Sequence, residues 1–311
     1  MQRWRGVEQV PGSWGRCVVT IGVFDGVHFG HQRIIAKAVA RARELGVPAV
    51  VMTFDPHPSE VIRPGTHPAV LTSQRHRADL VEACGADVVL VVPFTAAFAA
   101  QSPAEFVHEV LVERLHAKCV VVGRNFRYGH KVAGDIDSLT ADGRRFGFTV
   151  EAVELEGDGD TTWSSTYVRA CVAAGDIASA NAALGREHRI EGVVVRGDQR
   201  GREIGYPTAN LEPAAFAAVP ADGIYAGRLV RRDGTVHVAA ISIGTNPTFA
   251  GTERRVEAYV LDFSGDLYGE HVGLSFTARL RDTVRYDSLQ PLLDQMALDV
   301  ARTREIVHPS V

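Results

Sequence analysis

A chain of 311 residues is too long for one ordinary domain and fits two, each able to bury its own core. Apolar residues make up 46% and charged residues 23%, the balance of a water-soluble globular protein. A net charge of −4 with interspersed signs argues against the basic face of a dedicated nucleic-acid binder and leaves small anionic ligands open. Cys17, Cys84, Cys119 and Cys171 are far apart, with no C-x-x-C, and read as reduced core residues of a cytosolic protein. The first 14 residues hold no apolar stretch and the longest apolar run, residues 88–94, is far short of a membrane span. The expectation is a cytoplasmic protein with no nucleic-acid or membrane partner.

The first predicted element is a buried strand at residues 18–21, an unbroken β-branched run of the kind found in parallel sheets. Gly22, Gly26 and Gly30 then permit tight turns, and from His31 the pattern becomes helical, with Ile34, Ile35, Ala38, Val39, Ala42 and Leu45 on one side. The free amides and positive dipole end of such a helix suit a phosphate. His28 and His31, three residues apart, lie on one helical turn, and each can donate to phosphate oxygens. Neither a Walker A loop nor a G-x-G-x-x-G occurs, so phosphate binding here would rest on histidine and helix amides. A zinc pair and a plain strand-to-helix turn are the alternatives.

Strands follow at residues 49–54, 87–92 and 118–122, separated by a helix at 73–84 and one opened by the capping box Ser102-Pro103-Ala104-Glu105 and running to about residue 115. This alternation predicts an α/β parallel sheet, which binds ligands beyond the carboxyl ends of its strands. There stand Thr53-Phe54-Asp55-Pro56-His57-Pro58, a stiff polar turn, and Gly123-Arg124-Asn125-Phe126-Arg127-Tyr128-Gly129, whose rings and amide suit a flat heterocycle and whose arginines suit phosphate. A simple turn and an exposed basic loop are the plainer readings. Ser164, Ser165 and Thr166 can cap a helix, with Arg169 one turn along, for an anion or for the helix alone. Asp176 caps a further helix that Gly185 ends. A change to strand after strand then sets a domain boundary near residue 186, giving domains 1–185 and 186–311.

The second half predicts a small antiparallel β-barrel of five or six strands with a C-terminal helix at residues 289–304, whose apolar stripe is Leu289, Leu292, Leu293, Met296 and Val300. Asp233-Gly234 marks a hairpin in which both residues tolerate positive φ. A glycine-rich basic loop from Gly197 to Gly205 leads into Thr208 and Asn210, which on an extended backbone face the same way and offer two oxygens to a hard cation such as magnesium; a plain glycine-rich turn is the alternative. Glu257 shares a strand face with Tyr259, Leu261 and Phe263, where desolvation would raise its pKa and fit it as a base; an edge glutamate in water is the alternative.

Residues 22–32, GVFDGVHFGHQ, resemble the nucleotide-binding motif with H-x-G-H of the nucleotidyltransferase superfamily, and are most similar to the adenylyltransferase half of the bacterial bifunctional riboflavin kinase and FAD synthetase family. The resemblance extends through TFDPHP, VVGRNFRYG and SSTYVR in the first half and GREIGYPTAN, GIYAG, SIGTNPTF and VEAYVLDF in the second, nearly the whole chain. It implies ATP binding by Gly22, Phe24, His28, His31, Ser165, Thr166 and Arg169 in the first half and by Gly201, Thr208 and Asn210 in the second. It places flavin near Phe54 and Asn125, magnesium at Thr208 and Asn210, and catalysis at Glu257, His28 and His31. Asp25 is structural in this reading, or distantly linked to magnesium. The implied partners are riboflavin, FMN, FAD and ATP, with ATP as co-substrate and Mg2+ as cofactor, and the oligomeric state stays open, a homo-oligomer included. Phe29 departs from the pattern, because an arginine is common between the two motif histidines. A kinase that has lost adenylyl transfer and a flavin-binding module without turnover are the rival readings.

Overall fold

Five consecutive residues can all be buried only in the middle of a sheet covered on both faces, and Cys17–Ile21 (β2) is such a strand. The computed structural model describes residues 1–154, 157–158, 161–245 and 254–307. Contacts between Cα atoms divide the chain into two compact units, one of Met1–Pro68 with Gln74–Ser164, the other of Ala69–Ser73 with Ser165–Val311.

The first unit is built on a six-stranded sheet in the order β1-β4-β3-β2-β5-β6, where β1 is Gln2–Arg5, β3 Ala49–Asp55, β4 Val88–Pro93, β5 Ala117–Gly123 and β6 Thr149–Val153. Every pairing is parallel. Alternate residues of the central strands feed two cores: Val19, Val50, Met52 and Leu90 on one face, and Val18, Val51, Val89 and Val121 on the other, where Ile35, Ala38 and Ala42 of the Phe29–Leu45 helix cover them. The capping box at Ser102 forms in both directions, but the helix it opens continues from Phe106 to Arg114 as a π-helix, with Phe106, Val107, Val110 and Leu111 buried. A small two-stranded antiparallel sheet of β7 (Gly157–Asp158) with β8 (Thr161–Thr162) follows.

In the second unit six antiparallel strands close into a barrel in the order β10-β13-β12-β11-β14-β9. They are β9 His188–Val195, β10 Thr208–Pro213, β11 Gly223–Val230, β12 Val236–Gly244, β13 Arg255–Val260 and β14 His271–Arg281. The pairing of β10 with β9 leaves no free edge. The hairpin of β11 and β12 turns at the expected place by a different route. Only Gly234 is left-handed (φ 89°), while the Asp233 carboxylate accepts from the Thr235 amide at 2.9 Å.

The final helix, Leu289–Ile306, also departs from its expected stripe: Leu289 is exposed, and its buried residues are Asp299 and Thr303. Arg281 explains this, because it grips the Asp299 carboxylate through Nε at 3.0 Å and Nη2 at 2.6 Å. Leu292, Met296 and Val300 thereby become the half-covered wall of a pocket instead of core.

All four cysteines are free, and burial pushes the Cys17 thiol up to about 12, so it is an inert core residue at neutral pH. Among the described residues no helix is long and apolar enough to cross a membrane.

Candidate active sites

Beyond β2 the backbone bends sharply. Phe24 (φ 51°), Gly26 (φ 82°) and Val27 (φ 39°) are all left-handed, and Phe24 and Val27 are each only 1% exposed. Left-handed geometry costs a non-glycine residue roughly 1–2 kcal/mol and persists only where the surroundings impose it. The Phe24 ring lies so close to Gly22 that a Cβ there would sit 3.0 Å from it, which is why that position is glycine. The bend delivers His28 to the N-cap of the Phe29–Leu45 helix and His31 to its first turn. Their rings stack with centroids 3.7 Å apart, and the Phe24 ring meets His31 edge-on at 5.2 Å. Gly30 makes room for this, since a Cβ would come within 3.2 Å of the His28 ring. Two imidazoles thus stand at the positive end of a 17-residue helix, an arrangement suited to phosphate. Among the described residues no group of three His, Cys, Asp or Glu is placed to hold a metal, which leaves the zinc alternative without a donor set there.

Strand order puts the two expected flavin residues on either side of this loop. Phe54 lies at the carboxyl end of β3 and Asn125 just beyond β5, the neighbours of β2. A string of rings joins them: Phe54, Phe98, Phe106, Tyr128 and Phe126 follow one another at 5.6–6.1 Å. Phe94 and Phe98, which the sequence reading did not single out, complete the aromatic floor around Phe54. Asn125 is exposed, and Gly123 leaves space for its side chain. Phe29 is 39% exposed, and its ring lies 5.3 Å from Trp163.

Asp25 is 2% exposed and paired with Arg77 at 3.3 Å, in keeping with a structural role. Arg77 is the residue that sequence reasoning passed over. It sits four residues before Val81 on the buried stripe of the Gln74–Ala83 helix, and a charge on an apolar stripe was the available signal. Ser165, Thr166 and Arg169 stand on the Ser165–Ala174 helix of the second unit, where Arg169 Nε donates to the Ala69 carbonyl at 2.6 Å.

The second unit carries its own pocket, of about 190 Å³, on the outer wall of the barrel. Along β13 the interior residues are Val256, Ala258 and Val260, so Glu257 and Tyr259 face outward together, as alternation predicted; the strand ends before Leu261 and Phe263. Register sets Asn210 opposite Glu257 and Thr208 opposite Tyr259, and all four line the pocket. The Thr208 hydroxyl reaches Glu257 at 3.5 Å. Apolar Ile224, Leu292, Met296 and Val300 line it as well. Burial raises the Glu257 pKa above the ordinary carboxylate value, opposed by the Arg255 cation and the Thr208 hydrogen bond and assisted by the Asp198 charge. Asp198 and Arg255 pair with each other at 3.0 Å.

Gly197 lies flush against the Asn210 side chain and Gly201 against the Tyr206 carbonyl, with no room for a Cβ at either. Gly201→Ala is therefore expected to force the loop off the Tyr206 carbonyl and to lower the melting temperature by about 2–4 °C, which thermal unfolding checks. SIGTNPTF falls partly outside the described residues; Ser242 and Thr245 lie within them and line the pocket.

Hard oxygen donors beside a desolvated carboxylate in one unit, and stacked imidazoles at a helix start in the other, suit a two-domain transferase acting on phosphate esters. Residues 10–167 match the FAD synthetase family and residues 184–307 the riboflavin kinase family. The chain belongs to the bifunctional riboflavin kinase/FMN adenylyltransferase family. Its sequence is 40% identical to the Pseudomonas fluorescens protein of that name over 100% of this chain and 99% of that one, and 37% identical to the Escherichia coli K12 protein over 93% and 92%. A crystal structure described as a macrolide-efflux protein from Streptococcus pneumoniae shares the fold, with a TM-score of 0.86 and 31% identity over 98% of this chain and 99% of that one. The name of that structure carries no activity to this chain. The chain is an enzyme that phosphorylates riboflavin to FMN and adenylylates FMN to FAD with release of pyrophosphate, ATP being consumed at both steps. The reading as a binding module without turnover gives way to it.

Proposed function

We propose that the two activities divide near residue 186, with adenylyl transfer in residues 1–185 and riboflavin phosphorylation in residues 186–311. One observation carries the assignment of the kinase: Glu257, outward-facing yet desolvated, lies opposite Asn210 and hydrogen-bonds with Thr208. Glu257 takes the proton of the ribityl 5′ hydroxyl as that oxygen attacks the γ-phosphorus of ATP. The apolar wall of Ile224, Leu292 and Met296 excludes water from the attacking hydroxyl. Thr208 and Asn210 are two hard oxygen donors on one strand face beside a carboxylate, a set that fits magnesium. Thr208 and Asn210 would hold the ion, which would neutralise charge on the ATP phosphates when bound.

In the first half the FMN phosphate attacks the α-phosphorus of ATP and pyrophosphate leaves. A phosphate monoester, with a second pKa of about 6, is already largely dianionic at neutral pH, so the step needs no carboxylate base. His28 and His31, with the helix amides and Gly22 and Phe24 shaping the loop, stabilise charge on the ATP phosphates. Phe54 and Asn125 hold the flavin ring. The enzyme acts in the cytoplasm on free flavins, without nucleic acid or membrane.

A chromatographic time course of riboflavin, FMN and FAD with purified protein, ATP and magnesium tests the pairing. FMN is expected to rise and then give way to FAD. FMN accumulating without FAD overturns the role given to the first half, and unchanged riboflavin with folded protein overturns both.

A further inference from the structure

The carbonyl of Val23, one residue before the left-handed bend, accepts two hydrogen bonds from separate elements. Thr53 Oγ1, on β3, donates at 2.9 Å, and Arg77 Nη1, on the Gln74–Ala83 helix, donates at 3.1 Å. The other arm of the same guanidinium, Nη2, reaches Asp25 Oδ1 at 3.3 Å, two residues further along the bend. Arg77 is 5% exposed, Asp25 2% and Thr53 2%, so the three form a dry latch beneath the loop. Between its two points of attachment lies Phe24, buried and left-handed, with its ring against His31.

We propose that Arg77 is a positioning residue for adenylyl transfer: with Thr53 it fixes the Val23 carbonyl, which holds Phe24 in its left-handed conformation and so sets the ring of His31. The inference rests on the reading of His31 as a phosphate-binding group. A guanidinium suits the task because its rigid fork serves two acceptors at once, one neutral and one charged. Pairing with Asp25 also cancels the Arg77 charge inside the fold, so the latch acts through geometry rather than by attracting phosphate. Misplacing a catalytic group by about an ångström is enough to cost up to about a hundredfold in rate.

The test separates position from stability by assaying both reactions on each full-length variant, FAD formation from supplied FMN and FMN formation from riboflavin. Arg77→Met is expected to lower kcat for FAD formation at least about tenfold and to leave riboflavin phosphorylation unchanged. Arg77→Lys, which keeps a donor and the charge, should recover most of that loss. Asp25→Asn combined with Arg77→Met takes both charges of the pair away together, so its melting temperature should return toward that of the parent while FAD formation stays low. Recovery of both together overturns the proposal in favour of a purely stabilising ion pair. If Arg77→Met does not fold, Thr53→Val removes the second donor without touching a charge and should lower FAD formation about fivefold; an unchanged rate overturns the proposal. His31→Asn is the control. Normal FAD formation in it removes the histidine reading itself, whereas a defect there with normal Arg77→Met refutes the latch alone.

Discussion

Glu257→Gln is expected to lower riboflavin phosphorylation by about 10²–10⁴-fold, the usual contribution of a positioned general base, and to leave FAD formation from supplied FMN unchanged. The amide keeps the size of the side chain and its acceptor for the Thr208 hydroxyl but cannot take a proton. Because the carboxylate must be ionised to act, kcat/KM should fall as pH drops through its pKa, and burial places that limb above the ordinary glutamate value. The same shift has a consequence for stability. A folded-state pKa above the unfolded one means that ionising Glu257 costs folding free energy: its contribution is fully present below the unfolded value and is lost as pH rises through the folded one. At neutral pH the glutamine variant should therefore be inactive as a kinase yet melt slightly higher than the parent, with the two melting curves converging in acid. A variant that is both inactive and less stable would point to lost structure instead of a lost base.

The central strands and the barrel were legible because their signals were local. β2 is an unbroken β-branched run, Gly185 marks a helix end with a left-handed φ of 68°, and alternation along β13 alone sets Glu257 beside Tyr259. Missing were elements whose stability comes from neighbours. In β1, Gln2–Arg5, only Trp4 is buried, and it is a strand because β4 offers it a parallel edge. Strand β6 and the Ile136–Phe146 helix before it escaped notice because that helix buries only Leu139 and Gly143 and is held at its start by Asp135 and Ser138, a capping pair without the Glu or Gln that flags one in sequence.

At the sites the pattern repeats. The spacing of His28 and His31 and of Thr208 and Asn210 is visible in the chain, and the fold stacks the first pair and sets the second in one pocket lining, whereas the contacts of Arg77 and the rings of Phe94 and Phe98 depend on which elements the sheet brings side by side. The final helix shows how tertiary context overrides periodicity. The Arg281–Asp299 pair turns the helix so that Leu292, Met296 and Val300 of the expected stripe line a pocket, while Leu289 faces solvent.

His28→Ala is expected to lower FAD formation from FMN by about 10²–10³-fold, the usual loss when one preorganised donor to developing charge is removed, while riboflavin phosphorylation continues at the parental rate. His28 is 6% exposed, stacked on His31 at 3.7 Å and backed by Gly30, so its ring is held in place before ATP arrives and loses little freedom on binding. The loss should therefore appear mainly in kcat, with the KM for FMN nearly constant, since the residues proposed to hold the flavin, Phe54 at the end of β3 and Asn125 just beyond β5, are left untouched. His28→Asn, which restores a donor on a shorter side chain, should regain part of the rate. The attacking phosphate supplies its own nucleophile, so the parent's FAD formation should rise only until the FMN phosphate is dianionic, near its second pKa of about 6. A rate that in the parent keeps rising well above that pH, and in His28→Ala does not, would instead make His28 a general base and assign it the proton rather than the phosphate.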